Sequence, residues 1–125
     1  MQTRIQHQPF ATFVAIALAL ASASCVNANP TSPQTSVRVF KTTGSVQCAE
    51  VGSDLATFAR QLEEAGLKVI SSACGSDGRM RAAMCGAPDG RLAIFEVSSA
   101  DAQLSAKLGF SPLSKLPDAQ VVPCK

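Results

Sequence analysis

Cys48, Cys74, Cys85 and Cys124 are the residues of this chain best able to do chemistry, and their spacing narrows what that chemistry is. None of them forms a Cys-x-x-Cys pair, so neither a zinc knuckle nor a thioredoxin-type dithiol is spelled out. Thiolates that hold a metal must stay reduced, whereas disulfides need an oxidising compartment. The start of the chain points to the second case. Arg4 supplies a positive n-region, residues 10–21 (FATFVAIALALA) form an apolar h-region, and small residues precede Asn29. This pattern predicts an export signal over 1–28, cut before Asn29. The four cysteines are then expected to form two disulfides in a periplasmic or secreted domain.

Cys25 has a separate reading. Residues 22–25 (SASC) resemble the lipobox of bacterial lipoproteins, and that resemblance implies a membrane-anchored form with Cys25 as the acylated first residue. Ser22 stands where the lipobox pattern has Leu. Discarding or acylating Cys25 leaves the same even set of four cysteines, while cleavage after Ala23 would leave Cys25 as an unpaired thiol. The twelve-residue apolar run at 10–21 is well short of the roughly 20 residues a spanning helix needs, so no transmembrane span is expected in the mature chain.

From Asn29 onward the chain has 97 residues, and removing Arg4 from the eleven Lys/Arg leaves ten against nine Asp/Glu. A near-neutral surface of this kind argues against nucleic acid as a partner. The only histidine, His7, lies in the signal, and Trp and Tyr are absent. Ser-His-Asp and Cys-His catalysis, histidine metal sites and tyrosine acid-base chemistry are thereby removed. Asp54, Glu63 and Glu64 read as helix-surface charges, and isolated Asp-Gly turns lack the dense oxygen set of a calcium loop. The expectation is a non-enzyme with no cofactor and no metal.

The elements that must position the cysteines follow from periodicity and punctuation. Residues 29–36 (NPTSPQTS) read as a flexible linker, and 37–125 as one α+β disulfide-stabilised domain with a C-terminal tail. Residues 37–42 (VRVFKT) predict a first strand. Ser53 is the expected N-cap of a helix in which Leu55, Phe58, Ala59 and Leu62 recur on one face before Gly66 ends it. Three short strands are expected at 67–73, 79–84 and 91–97, joined by hairpin turns at 75–78 and 86–90. A second helix should begin after Ser99 and stop at Gly109 in a Schellman-type end packed by Phe110. The order β-α-β-β-β-α predicts a small two-layer sandwich, with a four-stranded sheet and both helices on one face.

This meander also predicts a cysteine pairing. Cys74 and Cys85 end successive antiparallel strands, about 20 Å apart, beyond the roughly 7 Å a disulfide tolerates between Cα atoms. A right-handed crossover makes the first two strands parallel, which brings Cys48 and Cys74 to one end of the sheet. The expected bonds are therefore Cys48 with Cys74 and Cys85 with Cys124.

Two further patterns invite a functional reading. Cys-Gly-Ser-Asp-Gly-Arg at 74–79 is echoed by Cys-Gly-Ala-Pro-Asp-Gly-Arg at 85–91. The meander puts these at opposite ends of the sheet, so Asp77, Asp89, Arg79 and Arg91 are expected to serve separate turns. In the strand at 79–84, Arg79 and Arg81 share one face and Met80, Ala82 and Met84 the other. With the methionines under the helices, Arg79 and Arg81, together with Arg38, Lys68 and Arg91, form a candidate binding face on the open side of the sheet. Its bland counterpart is a solvated face that keeps the sheet soluble. Phe40, Phe58, Phe95 and Phe110 are expected to share one core.

Residues 55–70, with Leu-Glu-Glu-Ala-Gly-Leu-Lys-Val at 62–69, resemble the helix-to-strand step of SPOR domains, envelope modules that bind peptidoglycan glycan strands. The resemblance covers about an eighth of the chain and carries over no binding residues. The resulting expectation is an exported bacterial envelope protein acting as a non-enzymatic binding or structural module, with an envelope protein or cell-wall glycan as partner. The alternatives are a secreted inhibitor or effector using a disulfide-pinned loop (48–52 or the proline-rich tail), and a SPOR-like peptidoglycan-binding module.

Overall fold

A computed structural model of the chain describes residues 35–49 and 52–125. The export signal, Cys25 and all but the last two residues of the linker lie outside the described residues. Strand β1 (Ser36–Thr42) is followed by helix α1 (Leu55–Glu64), β2 (Ser71–Ser76), β3 (Arg91–Ser98), α2 (Ala102–Lys107) and two short strands, β4 (Ser111–Pro112) and β5 (Gln120–Val121). The fold is α+β with two disulfides, and its sheet has five strands rather than four, in the order β4-β1-β3-β2-β5.

Every pairing in this sheet is antiparallel, with β3 inserted between β1 and β2. β1 and β2 therefore run parallel to each other, as the helical crossover requires, without being neighbours. As the central strand, β3 is covered on both sides and reads as a nearly unbroken apolar run, Leu92-Ala93-Ile94-Phe95. Ala93, Phe95 and Val97 face the helices, where they pack with Val39, Phe58, Leu62, Leu67 and Phe110. The Phe110 ring meets Phe58 and Phe95 edge-on, at centroid distances of 6.1 and 5.8 Å. Phe40 does not join this core. Its register partner is Ile94, so it lies on the opposite face of the sheet.

Both helix ends are encoded locally. Asp54, not Ser53, is the N-cap of α1, and its carboxylate accepts from the Thr57 amide at 2.7 Å. At the other end Gly66, at φ 86°, closes a Schellman motif in which Gly66 N donates to Glu63 O and Leu67 N to Leu62 O. Gly109 and Phe110 repeat the motif after α2, through bonds to Ala106 O and Ser105 O. Leu67 is thus the apolar residue that seals a helix rather than the start of a strand, and β2 begins only at Ser71.

The expected strand at 79–84 is absent, and 77–90 forms one long excursion from the end of β2 back to the start of β3. Met80 and Met84 do not pack under the helices. Met80 is fully exposed and Met84 is 62% exposed. The alternation Arg-Met-Arg mimics a strand period, yet the segment contains no β-branched residue to favour the pleat.

The second face of the sheet is not open. After β4 pairs on the outer edge of β1, residues 113–119 cross to the outer edge of β2, where β5 pairs. Leu113 and Leu116 line one cleft with Ile94 and Arg38, which places this strap on the face away from the helices. Two glycines admit it. A Cβ at Gly75 would collide with Ile94 Cδ1 and lie 3.2 Å from Gln120 O, and one at Gly78 would collide with the Asp118 carbonyl. The proline-rich tail is therefore a structural layer over Ile94, which is buried on this face.

Candidate functional site

The disulfides join Cys48 to Cys85 and Cys74 to Cys124, with Cα separations of 5.0 and 5.2 Å. The expected pairs, Cys48 with Cys74 and Cys85 with Cys124, are not formed. Cys74 and Cys85 do stay apart, although the meander that led to that expectation does not exist. Without a strand at 79–84 nothing carries Cys85 to the far end of the sheet. The excursion stays at the end where β1 exits, beside the turn that holds Cys48. Cys124 arrives along β5, where Val122 N donates to Cys74 O at 2.9 Å.

The Cys48–Cys85 bond anchors a compact turn-on-turn assembly. Gln47 binds the excursion with both backbone and side chain. Its amide donates to Ala87 O at 2.8 Å and its carbonyl accepts from Gly86 N at 3.0 Å. Its side chain donates from Nε2 to Ala82 O at 3.1 Å and accepts at Oε1 from Met84 N at 3.0 Å. Val46 adds isolated bridges to Ala49 and Pro88. Cys48 adopts φ 65°, the one positive value at a non-glycine among the described residues, at the tip of this turn.

The two Asp-Gly-Arg echoes, expected at opposite ends of the sheet, converge here. Asp77, Arg81, Asp89 and Arg91 line one cleft of about 320 Å³ together with Ser45 and Pro88. They meet because both echoes flank the same excursion, one leaving β2 and the other entering β3. Asp77 pairs with Arg81 rather than with Arg79, whose backbone amide instead donates to Asp77 Oδ1 at 3.1 Å. Asp89 accepts from Ser45 Oγ at 2.7 Å and from Arg91 N at 3.0 Å, and its second oxygen lies 3.3 Å from Arg91 Nε. Gly90 adopts φ 78°, which disfavours any side chain, and it lies so close to Asp77 and Arg81 that their side-chain ends would have to shift to admit a Cβ. Burial would raise the Asp89 carboxyl, but the Ser45 hydroxyl, the Arg91 amide and the Arg91 guanidinium outweigh it and hold its pKa below the usual value.

Each carboxylate in this cleft is thus matched by a cation and by local donors. Each ion pair stays within its own turn, and the backbone bond from Asp77 N to Gly90 O at 3.0 Å joins the two turns into a clasp at the neck of the excursion. The repeated Asp-Gly-Arg was the signal for it, and only the false meander separated its halves. Beyond the clasp the chain presents Arg79, Met80, Ala82, Ala83 and Met84 to solvent. Arg79 and Arg81 are close in sequence but differ in role: Arg81 is tied into the clasp, and Arg79 makes no ion pair among the described residues. Arg38 is exposed beside the strap on the face of β1 away from the helices, whereas Arg79 and Arg81 sit on the excursion outside the sheet, so the single basic sheet face does not exist.

Among the described residues no three His, Cys, Asp or Glu side chains converge to hold a metal, and no helix is long and apolar enough to cross a membrane. Comparison with protein-family models, with curated proteins and with solved structures finds no match.

Proposed function

We propose that this chain is a non-enzymatic binding module of the bacterial envelope, and that it recognises a protein partner through the excursion at 79–84. The observation that carries the reading is Met80, fully exposed at the tip of a segment tied down on both sides. Methionine is an adaptable apolar contact, and an exposed one on an ordered loop suits a recognition surface. The Cys48–Cys85 bond, the Gln47 clamp and the Asp77–Arg81 pair fix the loop before any partner arrives. Ordering entropy already lost in the free protein is not lost again on association. Arg79 gives the same tip a free cation.

Two disulfides fit an extracellular or periplasmic protein, so the partner is sought there. The test is affinity capture from envelope extracts with the native chain and with Met80→Ser/Met84→Ser. A partner held by the native chain and released by the double variant supports the reading; identical capture by both overturns it. The pinned loop also favours a second reading, an inhibitor that presents 79–84 to an enzyme. Slow, saturable inhibition in a protease panel, abolished by the same variant, would select it. Co-sedimentation with purified peptidoglycan that survives the double variant would instead favour the SPOR-like alternative.

A further inference from the structure

We propose that the excursion carries a processing site: an endoprotease of the trypsin-like class, which takes a basic side chain into an acidic pocket, hydrolyses the bond between Arg79 and Met80, and the product stays folded as a two-chain protein. Water adds across the Arg79 carbonyl and the C–N bond to Met80 breaks, leaving a carboxylate on Arg79 and an amino group on Met80. The inference is separate from the recognition reading, since it needs no partner other than the protease.

A protease draws an extended stretch of its substrate into a cleft and bonds the backbone there, so the stretch must be exposed and its polar groups unengaged. Every residue from Gly78 to Gly86 is exposed. From Gly78 to Ala83 the chain makes no backbone–backbone hydrogen bond among the described residues. The Gln47 side chain holds Ala82 O and Met84 N, and Asp77 holds the Arg79 amide. The Arg79 carbonyl and the Met80 amide, which flank the bond to be cut, have no partner among the described residues. Arg81 lies on the same stretch, but its guanidinium is paired with Asp77, whereas Arg79 makes no ion pair there. Arg38 and Arg60 are exposed too, yet their backbones are locked into β1 and α1.

The topology keeps the cut protein together. Cleavage leaves β1, α1 and β2 on one part and β3, α2, β4 and β5 on the other. The sheet order β4-β1-β3-β2-β5 alternates between the two parts, so all four ladders join one to the other. The core is shared in the same way, with Phe58 from the first part against Phe110 from the second. Both disulfides also cross the cut. Unfolding therefore releases no separate chain, and refolding does not incur the cost of association.

The test is brief treatment of the oxidised full chain with trypsin under native conditions, read by intact mass, by sequencing of the new amino terminus and by thermal unfolding. The expected product gains the mass of one water, has a second chain that begins at Met80, and separates into two fragments in denaturant only after reduction. It should still unfold cooperatively, at a midpoint that does not depend on protein concentration. Arg79→Gln should remove this cut, and Arg60→Gln, on the exposed face of α1, should leave it unchanged. Resistance of residues 35–125 to cleavage, a first cut there at another basic residue, an Arg79→Gln chain cut at the native rate, or a cut product without cooperative unfolding would each overturn the proposal.

Discussion

At the scale of single residues, the stability of this small domain rests on a few aromatic and polar contacts. Phe95 is completely buried at the centre of the sheet and holds the Phe110 ring edge-on. Phe95→Ala should lower unfolding free energy by about 3–5 kcal/mol, read from denaturant midpoints, because the helix layer cannot collapse into so large a void. Asp89 gives a pH dependence of definite sign. Its folded pKa lies below the unfolded value, so its contribution to stability is complete above the ordinary carboxylate range. It is lost as pH falls through the lowered folded pKa. Acid unfolding of Asp89→Asn should therefore show a flatter decline than that of the native chain. Equal slopes would mean that the Ser45 and Arg91 contacts are not kept in solution.

At the scale of elements, the strap and the excursion depend on different disulfides. Replacing Cys74 and Cys124 by Ser removes a crosslink closing a separation of 50 residues and should lower stability by about 2–4 kcal/mol. Amide exchange at Gln120, Val121 and Val122 should rise with it, while the excursion keeps its protection. Unchanged exchange there would show that β5 pairing alone holds the strap. What sequence reasoning could reach divides along the same line. β1, α1, β3 and the Gly66 and Gly109 helix ends were legible, because each is written in a local signal: β-branched alternation, a helical stripe, or a glycine followed by an apolar residue. The N-cap moved one residue, from Ser53 to Asp54, since both side chains can cap. The excursion and the strap were not legible. Arg-Met-Arg-Ala-Ala-Met alternates like a strand, and nothing local states that Gln47 will bind it in place of a neighbouring strand. β4 and β5 are two residues each and owe their existence to edges made elsewhere in the fold. The cysteine pairing failed with the meander, and the Asp77/Asp89 clasp was missed for the same reason.

At the scale of the whole molecule, two covered sheet faces and two crosslinks compensate for a core of modest size. Peptide mapping without reduction should recover Cys48 with Cys85 and Cys74 with Cys124, and the intact mass should gain four alkyl groups only after reduction. Recovery of Cys48 with Cys74 would reject the present topology. The same intact mass, taken on protein recovered from the cells that produce it, decides between the two proposed processed forms, one beginning at Asn29 and one at an acylated Cys25.

The two disulfides interleave along the chain: of the four bonded cysteines, the first pairs with the third and the second with the fourth. If the chain is exported as proposed, threading outward from its N-terminus exposes Cys48 and Cys74 to an oxidant before either native partner emerges, and Cys124 comes last but one. Pairing in order of emergence thus yields the wrong bond, and correction requires a thiolate to attack it and hand the sulfur on. Maturation of this protein should consequently depend on an isomerase as well as an oxidase. In cells lacking disulfide isomerisation, the chain should accumulate with Cys48 linked to Cys74 and its last residues untethered.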